Sequence, residues 1–203
     1  MKRHIPGIEE RQQQLRQYLL QLAPDTNKED IDQLVARFEM ATYAKNQLIL
    51  KAGEFSDDFS FICKGLVRIY YVKEGKEITN WFMKEDMILV PGYTVMTGHT
   101  NIMNFIALED TYVLKIKYSE LESFYFRYHS LANMGRKQVE KYFGAFMNRT
   151  FNTLYISADE RYAYFIKEHG DLLNRVPLRY IAAYLGITQE TLSRLRGKSI
   201  LCS

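Results

Sequence analysis

The side chains best suited to recognition chemistry crowd into one stretch near the end of the chain, YLGITQETLSRLRGK at residues 184–198. A helix that only braces a core hides one face and leaves the other bland. Here Gln189, Glu190, Ser193 and Arg194 would project together from the first turns of a helix, and all four can hydrogen-bond. Arginine can bond guanine O6 and N7 in bidentate fashion, glutamine can read adenine, and a carboxylate can accept from the cytosine amino group. The set therefore suits the edges of base pairs in a major groove, which the leading end of a recognition helix enters. Arg179, Thr188, Thr191, Arg196 and Lys198 are better placed for phosphates, which orient a helix without reading sequence. A lone glutamate among basic residues would repel a polyanion unless it paired with a base or a neighbouring arginine.

Two helices must hold that face. Leu178 to Leu195 fits a helix-turn-helix: Ala182 is small where the helices approach, and Gly186 sits where the turn needs a left-handed residue. Ile181, Leu185, Ile187, Leu192 and Leu195 supply the apolar positions, and Thr188 can cap the second helix. An ordinary helical hairpin is the alternative. Upstream, Pro177 suits the first turn of the helix PLRYIAAYL. Ser157 and Glu160 form a capping box for SADERYAYFIKEHG, which Gly170 can close.

The remainder of the chain changes texture twice. Residues 8–22 carry Leu15, Leu19 and Leu22 at helical spacing, and Lys28 to Phe38 reads as a second helix capped by Asn27 or Thr26. After Tyr43 come short runs rich in Ile, Val, Phe and Tyr, punctuated by Gly53, Gly65 and Gly75, the rhythm of short antiparallel strands. KEGKE reads as a hairpin turn, and IMNFIALED with TYVLKIK as a last strand pair joined at Glu109-Asp110. YSELESFYFRYHS reads as one or two short helices. A long helix then spans roughly residues 131–156, with Val139, Tyr142, Phe143, Phe146, Met147, Thr150 and Leu154 at spacings of three and four. That stripe either lies against its own domain or pairs with a second copy of itself.

Composition bounds the rest. The chain has 203 residues, 47% of them hydrophobic, enough for a packed core in one large or two small domains. Its net charge of +3 is too small to imply nucleic acid by itself. The longest apolar runs are far short of the ~18 residues of a membrane span, and the N-terminus has no apolar signal core. Cys63 and Cys202 lack metal-ligand or disulfide-framework spacing, so a reducing cytoplasm is the expected compartment. His4, His99, His129 and His169 form no ligand pair, and only His99 falls among the strands. Neither a metal site, a cofactor nor catalysis is expected.

Together, KGLVRIYY in the strand region and IAAYLGITQETLSRLR near the end resemble the cyclic-AMP receptor protein/FNR (Crp/Fnr) family of bacterial transcription regulators, in a short form like those of Bacteroides-type bacteria. The resemblance runs from about Tyr43 onward. It implies an α+β fold in three parts: a β-roll sensor domain of the cyclic-nucleotide-binding type with flanking helices over 1–130, a long dimerisation helix over 131–156, and a helix-turn-helix domain over 157–203. It further implies a cytoplasmic homodimer that binds a near-palindromic operator in double-stranded DNA and works with RNA polymerase. Gln189, Glu190 and Arg194 would occupy the base-reading positions.

Three departures qualify the expected effector and affinity. Where the family's cyclic-nucleotide cassette has Gly-Glu, this chain has Leu89-Val90, and the cassette arginine falls near Asn101. No arginine lies between Arg68 and Arg127. A cyclic phosphate needs a fixed cation, so cyclic AMP is not the expected effector. The apolar and hydroxyl-bearing loop VPGYTVMTGHTNIMN, with Val90, Tyr93, Thr94, Thr97 and Asn101, leaves two readings open: a small neutral or apolar effector, or a filled core with none. Second, the two cysteines cannot hold an iron–sulfur cluster. Third, only five residues follow Lys198, too few for the β-wing after the recognition helix, which implies fewer phosphate contacts. A ligand sensor whose helical tail contacts a protein is the competing reading, and an enzyme on a cupin-like barrel a more distant one.

Overall fold

The structure is a computed structural model that describes residues 7–200. Two helices come first, α1 (Ile8–Leu22) and α2 (Lys28–Val35). Asn27 caps α2, its side-chain oxygen accepting from the amides of Glu29 and Asp30. Apolar spacing over 28–38 predicts a helix three residues longer. Instead, Arg37 and Phe38 donate to carbonyls three residues back, a tightened last turn that still leaves Phe38 buried.

Eight strands follow: β1 (Glu39–Tyr43), β2 (Leu48–Leu50), β3 (Asp58–Lys64), β4 (Val67–Lys73), β5 (Lys76–Met83), β6 (Ile88–Leu89), β7 (Asn104–Ala107) and β8 (Thr111–Lys117). They form two four-stranded sheets, ordered β1-β8-β3-β6 and β2-β7-β4-β5. This is a two-sheet, jelly-roll-like arrangement. β4 and β5 are neighbours joined through Glu74 and Gly75, both at positive φ (51° and 74°), as a two-residue hairpin turn requires.

The last two strands do not pair with each other, contrary to the pattern expected around Glu109-Asp110. β7 pairs with β2, whereas β8 pairs with β1 and β3 in the other sheet. Apart from the β4–β5 hairpin, consecutive strands here alternate between the two sheets, so that both inner faces share one core. The flanks of the crossing are buried while Asp110 is exposed: Ala107, Leu108 and Thr111 are shielded, and the Leu108 amide donates to the Leu66 carbonyl at 2.7 Å. Gly65 lies at φ +110° where Thr111 and Asp110 crowd it.

Four helices complete the middle and start of the tail: α3 (Gly92–Thr97), α4 (Tyr118–Arg127), α5 (His129–Tyr155) and α6 (Ala158–His169). After a 3-10 turn at Gly170–Asn174 come α7 (Leu178–Leu185) and α8 (Gln189–Ile200). The expected capping box at α6 is present, with Ser157 and Glu160 bonding reciprocally. Gly170 closes α6 as expected, standing as its C-cap, but without the left-handed form. At φ −57° it stays helical and leads into the 3-10 turn. Pro177 stands one place earlier than expected, as N-cap with ψ 134°.

The described chain divides into two compact units. One comprises residues 7–69 and 82–141, the other 70–81 and 142–200. The division falls within α5, and the tip of the β4–β5 hairpin belongs with the C-terminal helices. In the first unit, Leu15, Leu19, Ile31, Leu34, Phe61, Leu114, Leu121 and Leu131 form one core. Each such side chain contributes about 1.5–3 kcal/mol on burial. Tyr18 adds a 2.6 Å hydrogen bond to Gln138 Oε1. In the second unit, Tyr162, Phe165, Leu172, Val176, Ile181, Leu185, Leu192 and Leu195 are buried.

Candidate nucleic-acid interface

The α7–α8 pair is built as its residues require. α7 ends at Gly186, which takes φ 68° and ψ 34°, a left-handed conformation that costs glycine nothing. The Gly186 and Ile187 amides both return to the Ala182 carbonyl, the latter at 3.1 Å. Ala182 is buried at the approach of the helices, with Ile181, Leu185, Leu192 and Leu195, while Ile187 is half-buried. Thr188 starts α8: its hydroxyl accepts from the Thr191 amide at 3.2 Å and its carbonyl from the Leu192 amide at 3.0 Å.

This packing leaves one polar face. Gln189, Glu190, Ser193 and Arg194 are all exposed. At 3.6 residues per turn they occupy about 140° of the helix circumference, opposite Leu192 and Leu195. The Glu190 carboxylate is held below the usual carboxylate range, chiefly by its own backbone amide and then by the Thr188 hydroxyl. It is therefore an anion, seated at the positive end of α8.

The residues expected at phosphates differ in their present engagements. Thr188 is exposed and serves as the cap; Thr191 is half-buried, its hydroxyl 3.2 Å from that of Thr188. Arg179 is exposed, lies 4.8 Å from the Tyr180 ring centroid and donates to the Tyr180 hydroxyl at 3.1 Å. Arg196 is half-buried, and its charge acts on Tyr162. The Lys198 side chain lies outside the described residues, as do His4 and Cys202.

Two arginines that sequence reasoning missed support the turn from behind. Arg149 on α5 donates to the Tyr184 carbonyl at 2.9 Å and to the Thr79 carbonyl on β5 at 3.3 Å. Its guanidinium lies 3.6 Å from the centroid of the Tyr184 ring. Arg161 on α6 donates to the Leu185 carbonyl at 2.9 Å and to the Ile156 carbonyl at 2.6 Å. Together they supply cationic donors to the last carbonyls of α7, the negative end of that helix. Burial pulls the Arg149 guanidinium down from its ordinary pKa, against the opposing pull of Tyr184. No local signal marks either arginine: Arg149 stands between Asn148 and Thr150, and its partners Thr79 and Tyr184 lie far away in sequence.

The α5 stripe is open. Val139, Phe143, Phe146, Met147, Phe151 and Leu154 are each more than half exposed, while Tyr142 and Thr150 are half-buried. A run of large apolar side chains of this extent marks an interaction surface.

The residues expected around an effector differ in exposure and engagement. Tyr93 and Thr97 are exposed on α3, with the Thr97 hydroxyl donating to the Tyr93 carbonyl at 2.7 Å. Val90 is half-buried. Asn101 is buried, its amide spent on the Met103 carbonyl and its backbone paired with Gly53 and Glu54. Thr94 is buried, and its hydroxyl has no hydrogen-bond partner among the described residues. Leu89, in place of the cassette glycine, is a buried strand residue opposite Ser60. Cys63 is also buried, which pushes its thiol pKa up. Among the described residues no cluster of His, Cys, Asp and Glu could hold a metal ion, and no helix is long and apolar enough to cross a membrane.

Comparison with known proteins agrees with this architecture. Residues 40–128 match the cyclic nucleotide-binding domain family. No curated protein sequence matches the chain. Among solved structures, FixK2 from Bradyrhizobium japonicum is similar at 22% identity and a TM-score of 0.67, over 79% of this chain and 83% of that one. A CooA mutant from Carboxydothermus hydrogenoformans is similar at 19% identity and a TM-score of 0.64, over 82% and 78%. The c-di-GMP responsive global regulator CLP of Xanthomonas campestris is similar at 12% identity and a TM-score of 0.66, over 86% and 92%. Residues 40–128 thus form a cyclic nucleotide-binding domain, and the chain shares the fold of the FixK2 and CooA structures.

Proposed function

We propose that this protein is a homodimeric, sequence-specific DNA-binding transcription regulator of the Crp/Fnr type. The observation that carries the reading is the face of α8, where Gln189, Glu190, Ser193 and Arg194 stand exposed together while Leu192 and Leu195 anchor the helix. Arg194 reads guanine, and Gln189 and Glu190 discriminate its neighbours. Arg179, Arg196, Lys198 and the hydroxyls of Thr188 and Thr191 set the register on phosphates. One such helix reads only a few base pairs, so a second copy is needed for affinity and specificity. The exposed α5 stripe supports self-association, and a two-fold dimer implies a near-palindromic operator. Regulation then proceeds through contact with RNA polymerase.

Cyclic AMP is not the effector in this reading. The loop over 90–104 offers no arginine, and Asn101 spends its side chain on the backbone. A neutral effector suits the buried, unbonded hydroxyl of Thr94 and the uncharged loop over 90–98 better than a phosphate does.

Selection of bound fragments from a pool of random duplexes tests the central claim. The expected product is a short near-palindrome whose affinity falls steeply with salt. Failure to enrich any sequence, with a nuclease-resistant protein partner recovered on the helical tail instead, would favour a sensor acting through protein contacts.

A further inference from the structure

The hairpin tip and the C-terminal helices belong to one compact unit, and Arg149 contacts both. Arg149 reaches from α5 to two main-chain carbonyls, Thr79 on β5 and Tyr184 on α7. Thr79 is fully buried. Tyr184 lies two residues before Gly186, the turn that aims α8. The guanidinium also stacks on the Tyr184 ring at 3.6 Å. Few side chains could replace it: only arginine offers a planar fork, a fixed charge and a face that stacks on an aromatic ring.

We infer that Arg149 is a positioning residue that fixes the aim of the recognition helix through the last turn of α7, and that makes the β4–β5 hairpin the second anchor of that aim. The reasoning is geometric. Both hydrogen-bond acceptors are backbone atoms, so those bonds follow where the strand and the helix lie, and the Tyr184 ring adds a stacking contact. A displacement of β5 at Thr79 either breaks the bond or draws the guanidinium with it. The guanidinium in turn holds the Tyr184 carbonyl and ring. Arg161 holds the next carbonyl, Leu185, from α6, and its other bond goes to Ile156 at the end of the long helix. The two arginines thus act in different directions. Arg161 secures α7 to its helical neighbours, and Arg149 links it to the sheet. Because coupling is reciprocal, DNA bound at α8 must stabilise the hairpin as much as an ordered hairpin favours DNA binding.

This inference rests on the DNA-binding reading, and the experiment separates the two. Hydrogen exchange is followed over residues 70–81 and 182–188 in the full-length protein, alone and with a duplex selected from the random pool. Parent, Arg149→Met, Arg149→Lys and Tyr184→Leu are compared, with far-UV circular dichroism as the check on folding. In the parent, DNA slows exchange in both segments. In Arg149→Met, exchange in both rises in the free protein, affinity falls on the order of tenfold or more, and DNA no longer slows the hairpin. Arg149→Lys restores part of the affinity. If Arg149→Met fails to fold, Tyr184→Leu, which removes the ring but neither carbonyl, still lowers affinity and weakens the hairpin response. The inference is overturned if the hairpin of a folded Arg149→Met protein responds to DNA as the parent's does, whatever the affinity. A parent that binds no duplex overturns the DNA-binding reading instead, while unequal changes in the two segments of free Arg149→Met would still count against the tie.

Discussion

Two glycines at positive φ separate backbone strain from steric exclusion. At Gly65 a β-carbon would lie 2.5 Å from Thr111 Oγ1, 2.7 Å from Thr111 Cα and 2.9 Å from the Asp110 carbonyl oxygen. Two of those neighbours are main chain at the crossing between sheets and cannot step aside. At Gly186 a β-carbon meets nothing within 4 Å, although φ is +68°. Left-handed backbone costs an L-residue roughly 1–2 kcal/mol, partly offset by about 0.4–1 kcal/mol of lost unfolded-state freedom. Gly186→Ala should therefore destabilise by about 1 kcal/mol. Gly65→Ala, at φ +110°, carries at least that backbone cost plus about 1–3 kcal/mol for forcing volume into a filled site, roughly 3 kcal/mol or more net. With folding stability on the order of 5–15 kcal/mol, the second change matters far more. Denaturant unfolding followed by circular dichroism reads both, with unchanged m-values confirming that stability alone has moved. Equal losses in the two variants would refute the reasoning, because the Thr111 contact would then contribute nothing.

Other outcomes follow from the site. Arg194→Ala should weaken operator binding by about 1–3 kcal/mol and relax specificity at one base pair in each half-site, read by repeating the random-pool selection with the variant. Phe143→Asp combined with Phe146→Asp should shift the protein to monomer in sedimentation velocity without loss of helical signal, since both side chains are exposed in the single chain. Glu160 has a depressed pKa, caused first by the Ser157 hydroxyl and then by the Ser157 amide. Its contribution to stability is thus present above the unfolded carboxylate pKa and disappears as pH falls through the lower folded value. Ser157→Ala should flatten that part of the acid unfolding curve. Isothermal titration with cyclic AMP at micromolar concentration should show no stoichiometric binding. A clear equivalence point would mean that some group other than a loop arginine carries the phosphate.

Local chemistry was readable wherever one residue type answers one local need. Thr188 as cap, the left-handed Gly186, the Ser157–Glu160 box and the turn around Gly75 are such cases, since caps and turns depend on neighbours a few residues away. Helical spacing likewise separated the polar face of α8 from Leu192 and Leu195, and marked the α5 stripe. Strand pairing was not local. Nothing in IALEDTYV says that Glu109-Asp110 crosses from one sheet to the other, because the partners that decide it, Leu48, Leu50, Ala41 and Ile62, stand far earlier in the chain. The same holds for Arg149. Its identity as a long cation was visible in the chain, but only the folded backbone brings the carbonyls of Thr79 and Tyr184 to one guanidinium, 70 and 35 residues away. Periodicity and side-chain type determine what each segment can become, whereas which distant segments meet depends on how all the buried faces close around shared cores.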